Sequence, residues 1–188
     1  MDGVSGTQLA ANGLMSLGML LIVNCVQGFR ARRLRGIVAP IGKTTLAQKL
    51  SDDTCYIIDL DAYLSENHKE YDTYKHEPFQ FVLQMYALAS TYVKQITNNF
   101  RNKKLVICSS SYDLLVQMGV RKKRIWAFVP SSELVDKQTM SEERKSHLKR
   151  AERHIAIHRV RKYYVFNEFY EMYAKVRQKL KLRQRPNS

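Results

Sequence analysis

The stretch Gly36-Ile-Val-Ala-Pro-Ile-Gly-Lys-Thr-Thr-Leu-Ala-Gln-Lys-Leu50 decides how the rest of the chain is read. Gly36-Ile-Val-Ala39 is a short apolar run stopped by Pro40, as a buried strand would be. From Gly42 onward, Leu46 and Leu50 recur at the four-residue spacing of a helix face. A strand, a tight glycine-containing loop and a helix opening on Lys-Thr-Thr aim backbone N–H groups at whatever lies beyond the helix N-terminus. The helix dipole favours an anion there. Lys43 adds a full positive charge, and Thr44 a hydroxyl suited to a hard cation.

Four more apolar runs follow: Cys55-Tyr-Ile-Ile-Asp59, Leu105-Val-Ile-Cys108, Arg124-Ile-Trp-Ala-Phe-Val129 and Tyr163-Tyr-Val-Phe166. Between them lie helical patterns. One runs from Glu77 to about Phe100, with Phe81, Met85, Leu88, Tyr92 and Ile96 on one face. A short one ends near Gly119, a basic one spans Met140 to about His158, and a last one runs from Glu168 to about Leu182. Continuous apolar strands alternating with helices predict an α/β fold with a five-stranded parallel sheet sandwiched by helices. The expected organisation is an N-terminal apolar segment with a basic run (1–33), one α/β domain (34–182) and a basic tail (183–188).

Gly42-Lys43-Thr44-Thr45, after a strand and before a helix, resembles the Walker A motif of P-loop kinases and NTPases. The match is degenerate. An ungapped alignment puts Ile37 where the motif has its first glycine, with Gly36 one residue early; alternatively the loop is two residues short. Asp59-Leu-Asp61 after the second strand is similar to the D-x-D of small-molecule and polynucleotide kinases in this superfamily; its other reading is a strand-end cap. Ser109-Ser-Ser111 follows the third strand where many P-loop enzymes carry an acid, which argues against a motor-type ATPase.

The resemblance implies a P-loop kinase-like domain holding ATP and Mg²⁺ at Gly42, Lys43, Thr44 and Thr45. Lys43 would neutralise the γ-phosphate, Thr44 and Asp59 would serve the metal, and Asp59 or Asp61 would act as base. The helix around Glu142–Arg153 looks like a lid, making Arg150 or Arg153 its arginine and Arg144 a further nucleotide contact. The implied activity is kinase-type phosphoryl transfer to a nucleotide, small-molecule or polynucleotide hydroxyl.

Charge supports a second class. The 188 residues carry a formal +14, and residues 121–188 hold nineteen basic against seven acidic groups. Lys145, Lys149 and Arg153 form one helical stripe, and Tyr163, Tyr164 and Tyr170 lie nearby, so a catalytically weak scaffold binding nucleic acid such as RNA, or assembling with a partner, is the alternative. His154 and His158 share a helical face without a carboxylate or Cys to complete a metal site, and with His147 they read as surface residues. Cys25, Cys55 and Cys108 are odd in number and set in apolar runs, which fits core thiols in a reducing cytoplasm. The apolar run Leu14–Val26 and the bases from Arg30 to Arg35 allow either a covered helix or membrane association through residues 14–35.

Overall fold

The computed structural model describes residues 34–182, apart from residues 53, 68–77, 101, 139, 159 and 161. The expected N-terminal apolar helix, the basic run up to residue 33, Cys25 and the tail 183–188 lie outside the described residues, whereas Arg35 opens the first strand. Within them, strands β1 (Arg35–Val38), β2 (Cys55–Asp59), β3 (Lys104–Ser109), β4 (Ile125–Pro130) and β5 (Tyr163–Phe166) form one sheet in the order β2-β3-β1-β4-β5. Every pairing is parallel. The helices are α1 (Lys43–Leu50), α2 (Leu60–Asn67), α3 (Pro78–Asn99), α4 (Tyr112–Gln117), α5 (Ser132–Lys137), α6 (Glu142–Ile157) and α7 (Phe169–Leu180).

Alternation along the strands builds two cores. Ile37, Val106, Cys108, Trp126 and Phe128 face one side, where Leu46 and Leu50 of α1 and Met172, Val176 and Leu180 of α7 cover them. Val38, Ile107, Ala127 and Val129 face the other, against Leu64 of α2, Ala89 and Val93 of α3, Leu114 and Leu115 of α4, and Ile155 of α6. The helical spacings match these faces: Met172, Val176 and Leu180 are four apart, as are Ala89 and Val93. Both thiols within the described residues are buried and free, and burial with the nearby Asp52 carboxylate pushes Cys55 up to about 11.

The two-core arrangement also fixes the hand of the connections. The chain crosses from β1 to β2 through α1 on one face, moving outward past β3. It returns from β2 to β3 on the other face and continues in that direction to β4 and β5. Opposite directions on opposite faces give one common hand, as parallel crossovers require. The chain therefore leaves β1 and β3, which are neighbours, towards opposite faces, and a crevice opens between their carboxyl ends.

Gly36 lies inside β1, opposite Ile107 and Ile125, and the strand opens at Arg35, one residue before the apolar run. A Cβ at this position would meet Leu115 Cδ1 at 3.0 Å, and Ile125 Cγ1 and Val120 Cγ1 at 3.2 Å. Gly36 is thus a packing glycine, and the loop proper is the four residues Ala39–Gly42 between β1 and α1. Gly36→Val is expected to lower unfolding free energy by about 1–3 kcal/mol through overpacking. Urea denaturation checks this, and an unchanged midpoint would contradict the assignment.

Candidate functional site

The register aligns three strand ends at the crevice. Val38 stands opposite Ser109, and Asp59 opposite Cys108. The Ala39 N–H donates to the Ser109 carbonyl at 3.1 Å, carrying the β1–β3 pairing into the loop. Ile41 turns inward and is buried, while Gly42 closes the loop at φ +78°. That left-handed conformation suits glycine, and a Cβ there would lie 2.9 Å from both Met172 Cε and Phe169 Cε1. As N-cap of α1, Gly42 supplies no capping side chain, and the first turn of α1 contains no acid. The first-turn amides of α1 therefore face the crevice end without a side-chain acceptor or a repelling carboxylate on their own helix.

Lys43, Thr44, Asp59 and Asp61 form two neighbouring pairs at this end of the sheet. The Lys43 ammonium folds back over the loop, 3.2 Å from Asp61 Oδ2, and donates to the Pro40 carbonyl at 3.3 Å. The Thr44 hydroxyl donates to Asp59 Oδ2 at 2.7 Å. Asp59 Oδ1 accepts the Ala62 N–H at 3.1 Å, so this carboxylate caps α2 while its other oxygen faces Thr44. The strand-end cap read from the sequence is thus present at Asp59, with Oδ2 left against the Thr44 hydroxyl.

Asp61 ties β2 to β3. Ser109 Oγ donates to its Oδ1 at 2.6 Å, and the Ser110 N–H to its Oδ2 at 2.7 Å. Ser109 is fully buried, and its Oγ also accepts the Ser111 N–H at 3.0 Å. No acid stands on β3 itself, but α2 delivers one beside the end of that strand. Beneath these pairs, the Cys108 thiol is pushed well above its ordinary range, first by burial and then by the Asp59 carboxylate.

Beside the loop lies a cleft of about 270 Å³, lined by Gly42, Lys43, Thr44 and Thr45 on one side and by Gln138, Phe169 and Tyr173 on the other. Thr45 hydrogen-bonds the Tyr173 phenol; burial raises that phenol and the hydrogen bond partly offsets the rise. The Lys49 ammonium lies 5.4 Å from the centre of the Tyr173 ring.

The other sequence-based candidates lie apart. Arg150 and Arg153 are exposed on α6 and do not line the cleft; Gln138, just past α5, is what this part of the chain contributes to it. The side chains of Arg144, His147 and His154 lie outside the described residues. Lys145 of the basic stripe pairs with Glu142 at 2.8 Å on the helix surface. His158 is not the simple surface residue its sequence setting suggests: its Nε2 lies 3.1 Å from Asp113 Oδ1 and its ring stacks on Tyr112 at 4.6 Å. Among the described residues no group of three or more His, Cys, Asp or Glu could hold a metal, and no helix is long and apolar enough to cross a membrane.

Ser109, Phe169 and Tyr173 are the site residues that sequence reasoning did not select. Ser109 carried a visible signal, a polar residue ending an apolar strand; the two aromatics carried none, because α7 reaches the loop only through sheet order. Comparison with protein families, curated proteins and solved structures gave no match to this chain.

Asp61→Asn removes the Lys43 ion pair and leaves a neutral amide facing the Lys43, Ser109 and Ser110 donors. It is expected to cost about 1–3 kcal/mol of stability, read from chemical denaturation. A variant as stable as the parent would show that the network adds nothing to the fold.

Proposed function

We propose that the chain binds a Mg²⁺-bound nucleoside triphosphate, ATP in the first instance, at Gly42–Thr45, and that its chemistry is kinase-type phosphoryl transfer to a hydroxyl. The observation that carries this reading is the joint placement of Lys43, Thr44, Asp59 and Asp61 at the crevice between β1 and β3. Ligands of open parallel sheets bind at such a crevice. The P-loop kinase-like resemblance of Gly42-Lys43-Thr44-Thr45 supports it, as does the all-parallel sheet.

The donor set suits Mg²⁺. Thr44 Oγ1 and Asp59 Oδ2 are hard oxygens already adjacent, and magnesium takes one or two protein oxygens with the rest from phosphate and water. Charge makes the same point. Lys43 against Asp59 and Asp61 leaves the two pairs formally negative, so a polyphosphate enters favourably only with a divalent cation. The bound metal would supply charge neutralisation at the phosphoryl oxygens. Lys43 would turn from Asp61 to the phosphates, and the α1 amides would hold them. Asp61 is engaged by Lys43, Ser109 and Ser110, whereas Asp59 has two partners, Thr44 and Ala62. With Asp59 Oδ2 on the metal and Lys43 turned away, Asp61 would be the better placed carboxylate to receive the acceptor's proton, and Asp59 to hold the metal. Phe169 and Tyr173, which line the cleft beside the loop, would offer a base or sugar an aromatic face.

Arg150 and Arg153 enter this reading as groups that a closing α6 would bring to the transferring phosphoryl group. The four-residue loop offers few amides to a triphosphate, which favours tight Mg²⁺ dependence and slow turnover. Titration of a fluorescent ATP analogue should give saturable binding that weakens at least tenfold without Mg²⁺. Lys43→Ala should abolish it, and Thr44→Ala should remove the Mg²⁺ dependence. Undiminished binding to Lys43→Ala would sink the proposal.

A further inference from the structure

Parallel strands share their amino ends as well as their carboxyl ends, and at the amino edge the chain collects a second charged site. Arg35 opens β1, Lys104 opens β3, Arg124 precedes β4 and Lys162 precedes β5. With Lys103 and Lys179 they line a half-open cavity of about 460 Å³ around Trp126, together with Asn102; among the described residues no carboxylate lines it. We propose that this cavity is an anion site, separate from the loop at Gly42, and that its ligand is a compact polyanion bearing two or more phosphate groups.

The end of α7 explains part of the cluster. Arg35 Nη1 donates to the Lys179 carbonyl and Lys104 Nζ to the Leu180 carbonyl, each at 3.1 Å, which places two cations on the negative end of that helix. Helix capping goes no further than these two. Lys103 is held by the Asp52 carbonyl at 3.3 Å, and Lys162 by the Lys123 carbonyl at 2.7 Å. These four cations are oriented by neutral carbonyls, which aim them without neutralising their charge.

Trp126 acts as a spacer between them. The Arg35 guanidinium lies 5.6 Å and the Lys162 ammonium 5.5 Å from its ring centre, and the residue is only 6% exposed. A ring so covered cannot stack a nucleobase, so the cavity reads charge rather than bases. That favours a compact, densely charged ligand over a nucleic-acid strand, and the volume lies in the range of small-molecule sites. Six like charges around one cavity repel each other, and a bound polyanion relieves that repulsion. Ligand binding should therefore raise thermal stability.

The test uses the full chain at about 0.15 M salt, where screening weakens scattered surface charge but a clustered site persists. Inositol hexakisphosphate, without Mg²⁺, is the probe, followed by calorimetry and thermal melting. The parent should bind saturably and melt higher with the probe. Lys162→Gln combined with Lys179→Gln should weaken binding at least tenfold, and its unliganded melting point should equal or exceed the parent's, which shows that the fold is intact. Lys43→Ala should bind the probe as the parent does. Loss in Lys43→Ala with retention in the double variant would assign the anion to the Gly42 loop and overturn the proposal. So would failure of the parent to bind the probe, including a result in which only a single-stranded RNA oligonucleotide binds. Because the probe lacks a nucleoside and the decisive variants lie on the opposite edge of the sheet, failure here leaves the nucleotide reading untouched, and the reverse also holds.

Discussion

The chain leaves β1 towards the α1 face and β3 towards the α4 face, and Asp61 spans the gap that this divergence opens. Its carboxylate gathers Ser109 and Ser110 from β3 and Lys43 from the loop after β1, while its own helix continues from β2. Three segments far apart in sequence are thereby held at one point. The position of the Lys43 ammonium, the accessibility of the α1 amides and the burial of Ser109 all follow from that tie. In water such a pair contributes little, but here the lysine is mostly buried and the carboxylate also accepts from Ser109 and Ser110, so the geometry is enforced.

The same topology accounts for the polarity of the whole domain. Parallel strands send every carboxyl end to one edge and every amino end to the other. Short helix α1 starts at the first edge, and α7 ends at the second. The first edge therefore carries a helix N-terminus with a lysine and two carboxylates, a combination suited to a phosphate accompanied by a metal ion. The second carries a helix C-terminus and a ring of cations, and among the described residues no acid lines it. One fold thus presents two edges of different charge and chemistry.

Much of this was legible in the sequence. All five strands are continuous apolar runs, and the long helices repeat their apolar residues at three- and four-residue spacing, so Pro78–Asn99 and Phe169–Leu180 lie within a residue or two of their expected limits. Gly42, Lys43, Thr44, Asp59 and Asp61 were legible because local context, a strand end before a helix start, is written in consecutive residues. Two short helices escaped notice: Leu60–Asn67 has only Leu60 and Leu64 as its buried face, and Ser132–Lys137 has no buried residue at all. Strand order escaped too, because pairing of β1 with β3 and β4 depends on which face each helix covers, a property of the assembled core. Ser109, Phe169 and Tyr173 could not be joined to the loop without that order. The role of Gly36 also depended on packing: its place in an apolar strand was legible, but the closeness of Leu115, Val120 and Ile125 to any Cβ there was not.

The central claim is that the edge holding Gly42, and not the edge holding Trp126, receives the Mg²⁺-bound nucleoside triphosphate. Backbone amide chemical shifts recorded during titration with MgATP test it most directly. The account predicts that the largest shifts fall on Gly42, Lys43, Thr44 and Thr45, with secondary shifts at Ser110 and Ala62, whose amides bond the two carboxylates. Amides of the Gly42–Thr45 segment that stay unmoved while those around Arg35, Lys104 and Trp126 shift would contradict it.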